Sequence, residues 1–307
     1  MSLWATEPPG DPYFDPRLNA WILTRYRDVA IALLEPLLIP ALARSTTPAV
    51  AIDSAVHAEF RTHSLHALSP AAISQWEERF ALAAARVVDA LPTGEPVDLI
   101  DRFARPWSLR VAAIAADVPA HDCESLAALA RCVFEAACEP YDEALADKSQ
   151  KATVELARFF QGAPPWTVQM FVALAHSLPA LLGNVWWARL ERAAEIDELL
   201  RIAGPAKAQF RQAVAPVTIG GRTIERDQHV ILRLDIANTD ADPTASHLAF
   251  GSGLHACVGA ALVKSAAGIA TKALLDRVQF RAHTAVPVDR FAMRYLTSLK
   301  VVLYPIR

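Results

Sequence analysis

The most chemically loaded stretch of the chain is HLAFGSGLHACVGAAL, residues 247–262. A single cysteine, Cys257, stands among Gly251, Gly253 and Gly259, with Phe250 and His255 ahead of it and a helix-forming run behind. A thiolate at a helix N-terminus gains from the dipole and from unpaired backbone N–H groups aimed at the sulfur. The same donors lower the thiol's pKa and moderate its electron donation to a metal. Glycines let the backbone approach a large flat ligand where a Cβ would clash. Taken alone, these residues leave two readings open: a metal-ligating thiolate, or a small buried hydrophobe.

Three further groups could do chemistry. Glu198-Leu-Leu-Arg201 places an acid and a base on one helix face at i,i+3, as an ion pair or as an ordinary surface pair. His57-Ala-Glu-Phe-Arg61, followed by Leu68-Ser69-Pro70, sets a histidine and an arginine one turn apart. That pair could hold carboxylates, or it could be a solvated helix face. His176-Ser177 sits inside a long apolar stretch. A histidine there is either a proton donor near operating pH or a satisfied core residue.

The spacing F-G-x-G-x-H-x-C-x-G, formed by Phe250, Gly251, Gly253, His255, Cys257 and Gly259, resembles the haem-binding loop of the cytochrome P450 family. The resemblance extends in the family's order along nearly the whole chain. Glu198 and Arg201 match its E-x-x-R, His57 and Arg61 its H-x-x-x-R helix, and Arg211 a further arginine that binds a haem propionate. It implies haem b as cofactor, with Cys257 as the proximal ligand and Phe250 packed near the sulfur. It also implies propionates held by His57, Arg61, Arg211 and His255. Buried carboxylates of that kind need charged partners. A cysteine thiolate is the ligand that favours O–O cleavage.

The chain departs from the family in identifiable places. The segment between about residues 140 and 167 is too short for the usual pair of lid helices. The connection from Trp187 to Glu198 omits most of a helix. No arginine occurs between Arg233 and Arg277, so the third partner of the Glu198–Arg201 cluster is missing or comes from elsewhere. The family's A-G-x-[DE]-T, an acid and an alcohol that deliver protons during dioxygen activation, corresponds to Ala173-Leu174-Ala175-His176-Ser177. On that correspondence His176 and Ser177 are the candidate catalytic pair.

Around these residues the sequence predicts a mainly α fold with a small β region. The resemblance implies a single haem-binding domain over residues 1–307, reduced from the P450 fold, with haem between a long distal helix and the cysteine-loop helix. Helices are expected at 70–91, 102–116, 121–138, 143–161, 168–201 and 258–276, with another from Tyr26. A strand is expected at Trp21 to Thr24, a hairpin turning at Gly220-Gly221, a strand at Val230 to Leu234, and a last strand near the C-terminus. Pro179 is expected to kink the long helix.

Composition narrows the classes. With 53% hydrophobic and 21% charged residues and a net charge of -3, there is no basic field for nucleic acid or anionic membrane. Residues 168–188 are long enough to span a bilayer, but Gln169, His176, Ser177, Pro179 and Asn184 interrupt them, so a core helix is expected. No leader segment is read at the start. Cys123, Cys132 and Cys138 form no C-x-x-C pair, and a reducing cytoplasm is expected.

Three functions follow in order of preference. The first is monooxygenation of an apolar small molecule, with a ferredoxin-type electron donor docking on the proximal face. The second is a haem-thiolate enzyme that does not activate dioxygen, such as a peroxygenase, dehydratase or isomerase. The third is a non-catalytic haem sensor or partner subunit, with Trp186 and Trp187 exposed by the short lid and covered in a homo- or hetero-oligomer.

Overall fold

The computed structural model describes residue 4 and residues 7–41, 54–192, 194–242 and 244–306. Its α-helices in chain order are α1 (Tyr26–Leu34), α2 (Ser54–Ala67), α3 (Pro70–Asp89), α4 (Arg105–Ala116), α5 (Cys123–Cys138) and α6 (Glu143–Phe159). They continue with α7 (Thr167–Val172), α8 (Leu178–Glu191), α9 (Ile196–Ala203), α10 (Leu234–Asp240) and α11 (Ala260–Leu275). The strands are β1 (Tyr13–Asp15), β2 (Ala20–Leu23), β3 (Leu38–Pro40), β4 (Pro96–Asp98) and β5 (Ala208–Ala213). After them come β6 (Val217–Ile219), β7 (Arg222–Ile224), β8 (His229–Arg233), β9 (Val278–Asp289) and β10 (Arg294–Pro305).

Local chemistry explains the best-formed helix. Ser69 caps α3 by accepting from the Ala72 N–H, and Pro70 occupies the first turn, where its missing N–H costs nothing. Ile73, Phe80, Ala84 and Val88 then fall on one buried face. That face packs against α11, whose Leu262, Ala266, Ala270 and Leu274 are buried in turn. Each such large side chain contributes roughly 1.5–3 kcal/mol by leaving water.

The β region is larger than the sequence suggests. A five-stranded sheet runs β1-β2-β8-β5-β3, with β2 and β8 parallel and the other pairs antiparallel. A second sheet runs β4-β10-β9, and β6 with β7 forms the expected hairpin. Gly220 and Gly221 have φ of +57° and +76°, the two positive angles that a tight hairpin turn requires.

The helix expected at 168–201 is three helices. Between α7 and α8, residues Ala173–Ser177 form a π turn, and Pro179 lies in the first turn of α8. Pro179 cannot donate to the carbonyl four residues earlier, and a wider turn is one way the backbone absorbs that loss. After Glu191 the chain leaves the helix and re-enters it at Ile196. Thr167–Leu190 is the one helical stretch among the described residues long and apolar enough to cross a membrane, and most of it is buried inside the protein.

The expected exposed tryptophan patch is not there. Trp186 is fully buried, stacks on Phe103 at 5.2 Å between ring centroids and donates Nε1–H to Thr271 Oγ1 at 3.1 Å. Trp187 is packed against the same core. Trp186 is thus held inside by Phe103, which precedes α4, and by Thr271 of α11.

Candidate haem site

The cysteine loop is held in shape mainly by its own backbone. Cys257 N–H donates to the Phe250 carbonyl at 2.8 Å, and Ala256 N–H to the Gly253 carbonyl at 3.1 Å. Gly251 and Gly253 have φ of +69° and +70°, where a side chain would be strained. A Cβ on Gly253 would also lie 3.0 Å from the Leu33 carbonyl oxygen, so this position requires glycine for space as well. Gly259 caps α11, so the sulfur sits at that helix's N-terminus as the sequence implied.

Cys257 opens onto a cavity of about 360 Å³. Arg61 and His255 also line it, as do Gln209 and Arg211 from β5. Its apolar wall comes largely from α7 and the following π turn, through Trp166, Met170, Ala173 and Leu174. Cys257 exposes surface to this cavity while protein atoms enclose it on its other sides. Burial pushes its thiol pKa up, and the Gly259 N–H and the Arg61 charge oppose that shift only in part. A metal cation at the sulfur is the partner that would offset the remaining cost of the thiolate.

The cations in the cavity point the same way. Arg211 is buried, and it donates only to neutral oxygens, the Phe210 carbonyl at 2.9 Å and Gln209 Oε1 at 2.8 Å. Among the described residues no carboxylate pairs with it, and burial lowers its pKa to about 10. A buried guanidinium without a counter-ion costs several kcal/mol, so the site is built for an anion that enters with a ligand. Arg61 Nη1 donates to the Ala256 carbonyl at 2.8 Å, which ties α2 to the cysteine loop. The structure thus brings Arg61, Arg211 and His255 together with Cys257, while the side chain of His57 lies outside the described residues. A thiol, the buried Arg211 and the half-buried Arg61 and His255 around an apolar chamber fit a haem and its two carboxylates.

This arrangement yields a prediction of two opposite signs. Arg211→Met removes an uncompensated buried charge, so the haem-free protein should melt at a higher temperature than wild type. The same change should weaken haem binding by roughly tenfold or more, the worth of one charge-assisted hydrogen bond. Thermal melts and haem titration of the two proteins read both effects. A loss in both, or in neither, contradicts the role given to Arg211.

Other expected residues stand differently. Phe250 does not line the cavity. It packs beneath the loop, with Lys264 Nζ 5.9 Å from its ring centroid. Glu198 Oε2 accepts from Arg201 Nε at 3.1 Å, and its Oε1 pairs with Arg192 at 3.2 Å. The third member of this cluster is therefore Arg192, from the connection between α8 and α9. Arg201 further donates to the carbonyls of Asp242 and Ala245, which lead into the cysteine loop.

The proposed catalytic pair needs correcting. His176 and Ser177 do not line the cavity. His176 Nε2 lies 2.9 Å from the Ala127 carbonyl, its ring stacks on Phe134 at 5.7 Å, and burial lowers its pKa. On a regular helix, residues 166, 170, 173 and 177 would share one face. The π turn at Ala173–Ser177 breaks that register, and His176 turns toward α5, against Ala127 and Phe134. A depressed folded-state pKa means that the neutral ring is the stabilised form. That stability is complete above the unfolded-state pKa of about 6.5 and is lost as pH falls below it. His176→Phe should accordingly leave turnover within about twofold of wild type and make unfolding less sensitive to acid. A variant with no turnover would restore the catalytic reading.

No family model matches the chain. Cytochrome P450 109 of Bacillus spizizenii is 24% identical to it, over 86% of this chain and 80% of that protein. Linalool 8-monooxygenase of Pseudomonas putida is 23% identical, over 95% of this chain and 92% of that protein. Both alignments span most of this chain and most of the relative, and among the described residues Arg61, Arg211, His255 and Cys257 line one cavity. Along most of its length the chain is similar to cytochromes P450, and these likenesses support a bacterial-type P450. At the family level this makes it a P450-type oxidoreductase of haem-thiolate monooxygenase type.

The fold agrees with solved P450 structures. That of CYP109B1 from Bacillus subtilis superposes with a TM-score of 0.84 at 22% identity, over 95% of this chain and 96% of that one. P450BioI, in complex with an acyl carrier protein bearing hexadec-9Z-enoic acid, gives 0.86 at 19% identity, over 97% and 94%. The alignment with the linalool enzyme runs over 377 positions, more than the 307 residues of this P450. That relative therefore carries segments this chain lacks.

Three features of the site were not expected from the sequence. Gln169 and Trp166 line the cavity but belong to no motif, and only the helical spacing 166, 169, 170, 173 could have drawn attention to them. Arg192 could have been found only as a charge in a short connection.

Proposed function

We propose that this P450 holds haem b through Cys257 and inserts one oxygen atom from dioxygen into a small apolar molecule, with electrons from a ferredoxin-type protein in the cytoplasm. The observation that carries this reading is the Cys257 sulfur opening onto an apolar chamber edged by Arg211, a buried cation with no carboxylate partner among the described residues. When bound, haem with a thiolate ligand supplies the O–O cleaving chemistry of the family. The chain's own part is to place the ligand. Cys257 provides the sulfur, the Gly259 N–H tempers it, and Arg61, Arg211 and His255, with His57, take the carboxylates. Trp166, Met170 and Leu174 exclude water from the space where the substrate lies.

A second reading is favoured by one specific feature. Among the described residues no Asp, Glu, Ser or Thr lines the cavity, so the chain presents no acid–alcohol pair to deliver protons. A peroxygenase needs less of this, because peroxide arrives already reduced and protonated. The experiment runs haem-loaded protein with candidate apolar substrates in two arms, one with a ferredoxin, its reductase and dioxygen, the other with peroxide alone. Product in the first arm is expected. Product only in the second replaces the first reading with the peroxygenase one.

A further inference from the structure

We propose that Gln169 selects the substrate class: a neutral, mostly apolar molecule that carries one hydrogen-bond-accepting oxygen, a carbonyl or hydroxyl, met by the Gln169 amide. This rests on the reading of the cavity as a monooxygenase pocket. The inner wall presents Trp166, Met170, Ala173 and Leu174, all apolar, with Gln169 among them on the same helical face. Among the described residues the Gln169 side chain has no hydrogen-bond partner. The other amide in the cavity, Gln209, belongs to β5 rather than to the apolar wall, and its oxygen accepts from Arg211 at 2.8 Å. Arg61, Arg211 and His255 are the cationic or titratable groups, and they are committed to the carboxylates of the cofactor. Gln169 is thus the polar side chain of the apolar wall that is left for a substrate.

Selection follows from desolvation. With the cavity open, Gln169 is exposed, and water can satisfy its amide. An apolar ligand lying along the wall displaces that water. A ligand lacking an acceptor then leaves a donor unpaired, whereas a carbonyl or hydroxyl replaces the lost bond. The site would therefore discriminate by the penalty on the hydrocarbon as much as by the gain on the oxygenated molecule.

The test uses a matched pair of probes, 4-phenyl-2-butanone and n-butylbenzene, titrated into haem-loaded wild type and the Gln169→Leu and Gln169→Met variants. Binding is read by equilibrium dialysis and by the Soret shift. Replacing Gln169 is expected to weaken the ketone roughly fivefold to tenfold while n-butylbenzene binds as well or better, the scale of one net hydrogen bond. An unchanged ketone-to-hydrocarbon ratio in both variants, or equal weakening of both probes, overturns the proposal. A wild-type protein with no Soret band refutes the haem reading instead. Dialysis of that same protein with the two probes still judges Gln169 on its own ratio.

Discussion

Replacing Cys257 by alanine should reduce electron-driven product formation to background while leaving the fold intact. The side chain faces the cavity, so its removal opens no void in packed core. The loop keeps its shape through backbone bonds that the substitution does not touch, including Cys257 N–H to the Phe250 carbonyl at 2.8 Å. Haem would lose its sulfur ligand and keep only its carboxylate contacts and apolar packing, so its content should fall in proportion to washing. Circular dichroism and the melting temperature of the haem-free variant should match those of haem-free wild type. A variant that still forms product at the wild-type rate would remove Cys257 from the reaction altogether.

The second large effect is structural. Arg201→Ala should destabilise the protein by about 3–5 kcal/mol, the usual cost of removing one member of a buried ion pair. Against a total of roughly 5–15 kcal/mol for a folded protein, this is enough to leave little soluble material. Arg201 is 9% exposed and ties Glu198 to the carbonyls of Asp242 and Ala245, so its loss removes the donor to two carbonyls, leaves Glu198 with the exposed Arg192, and loosens the approach to the cysteine loop. Lysine should not rescue it, because a single ammonium cannot fork to acceptors on two segments. Arg192→Ala is the control: its side chain is 63% exposed, and its pair with Glu198 should be worth under about 1 kcal/mol. Urea midpoints of the two variants separate these cases. Equal midpoints would mean that Glu198 and Arg201 form an ordinary surface pair after all.

What was legible in the sequence follows from how unusual each residue is. The cysteine loop could be read because its glycines, histidine and cysteine stand at positions that few other structures demand. Gly251 and Gly253 do have the positive φ angles that explain two of those glycines. Strand β5 was not legible, because AQFRQA puts Gln209 and Arg211 where a strand pattern expects apolar residues. They are polar because they face the cavity. Strand β9 was hidden for another reason: it pairs only with β10, and one of its sides is largely exposed, so Arg281, Thr284 and Asp289 carry no burial pattern. His176 and Ser177 were assigned from their place in the family pattern, and their side chains do not line the cavity. One π turn shifts the side chains beyond it around the helix axis, and nothing in Ala173-Leu174-Ala175 marks that shift in advance. That Arg61, Arg211, His255 and Cys257 line one cavity was therefore foreshadowed by residue types, whereas the direction of the side chains after Ala173 depended on a backbone irregularity.

The central claim is that Cys257 ligates haem iron as a thiolate, and one spectrum addresses it directly. The protein is loaded with haem, reduced and exposed to carbon monoxide, beside Cys257→Ala treated identically. The account predicts a red-shifted Soret band of thiolate type in wild type and its absence in the variant. A wild-type band at the position of a nitrogen-ligated haem, or the same band in both proteins, would contradict it.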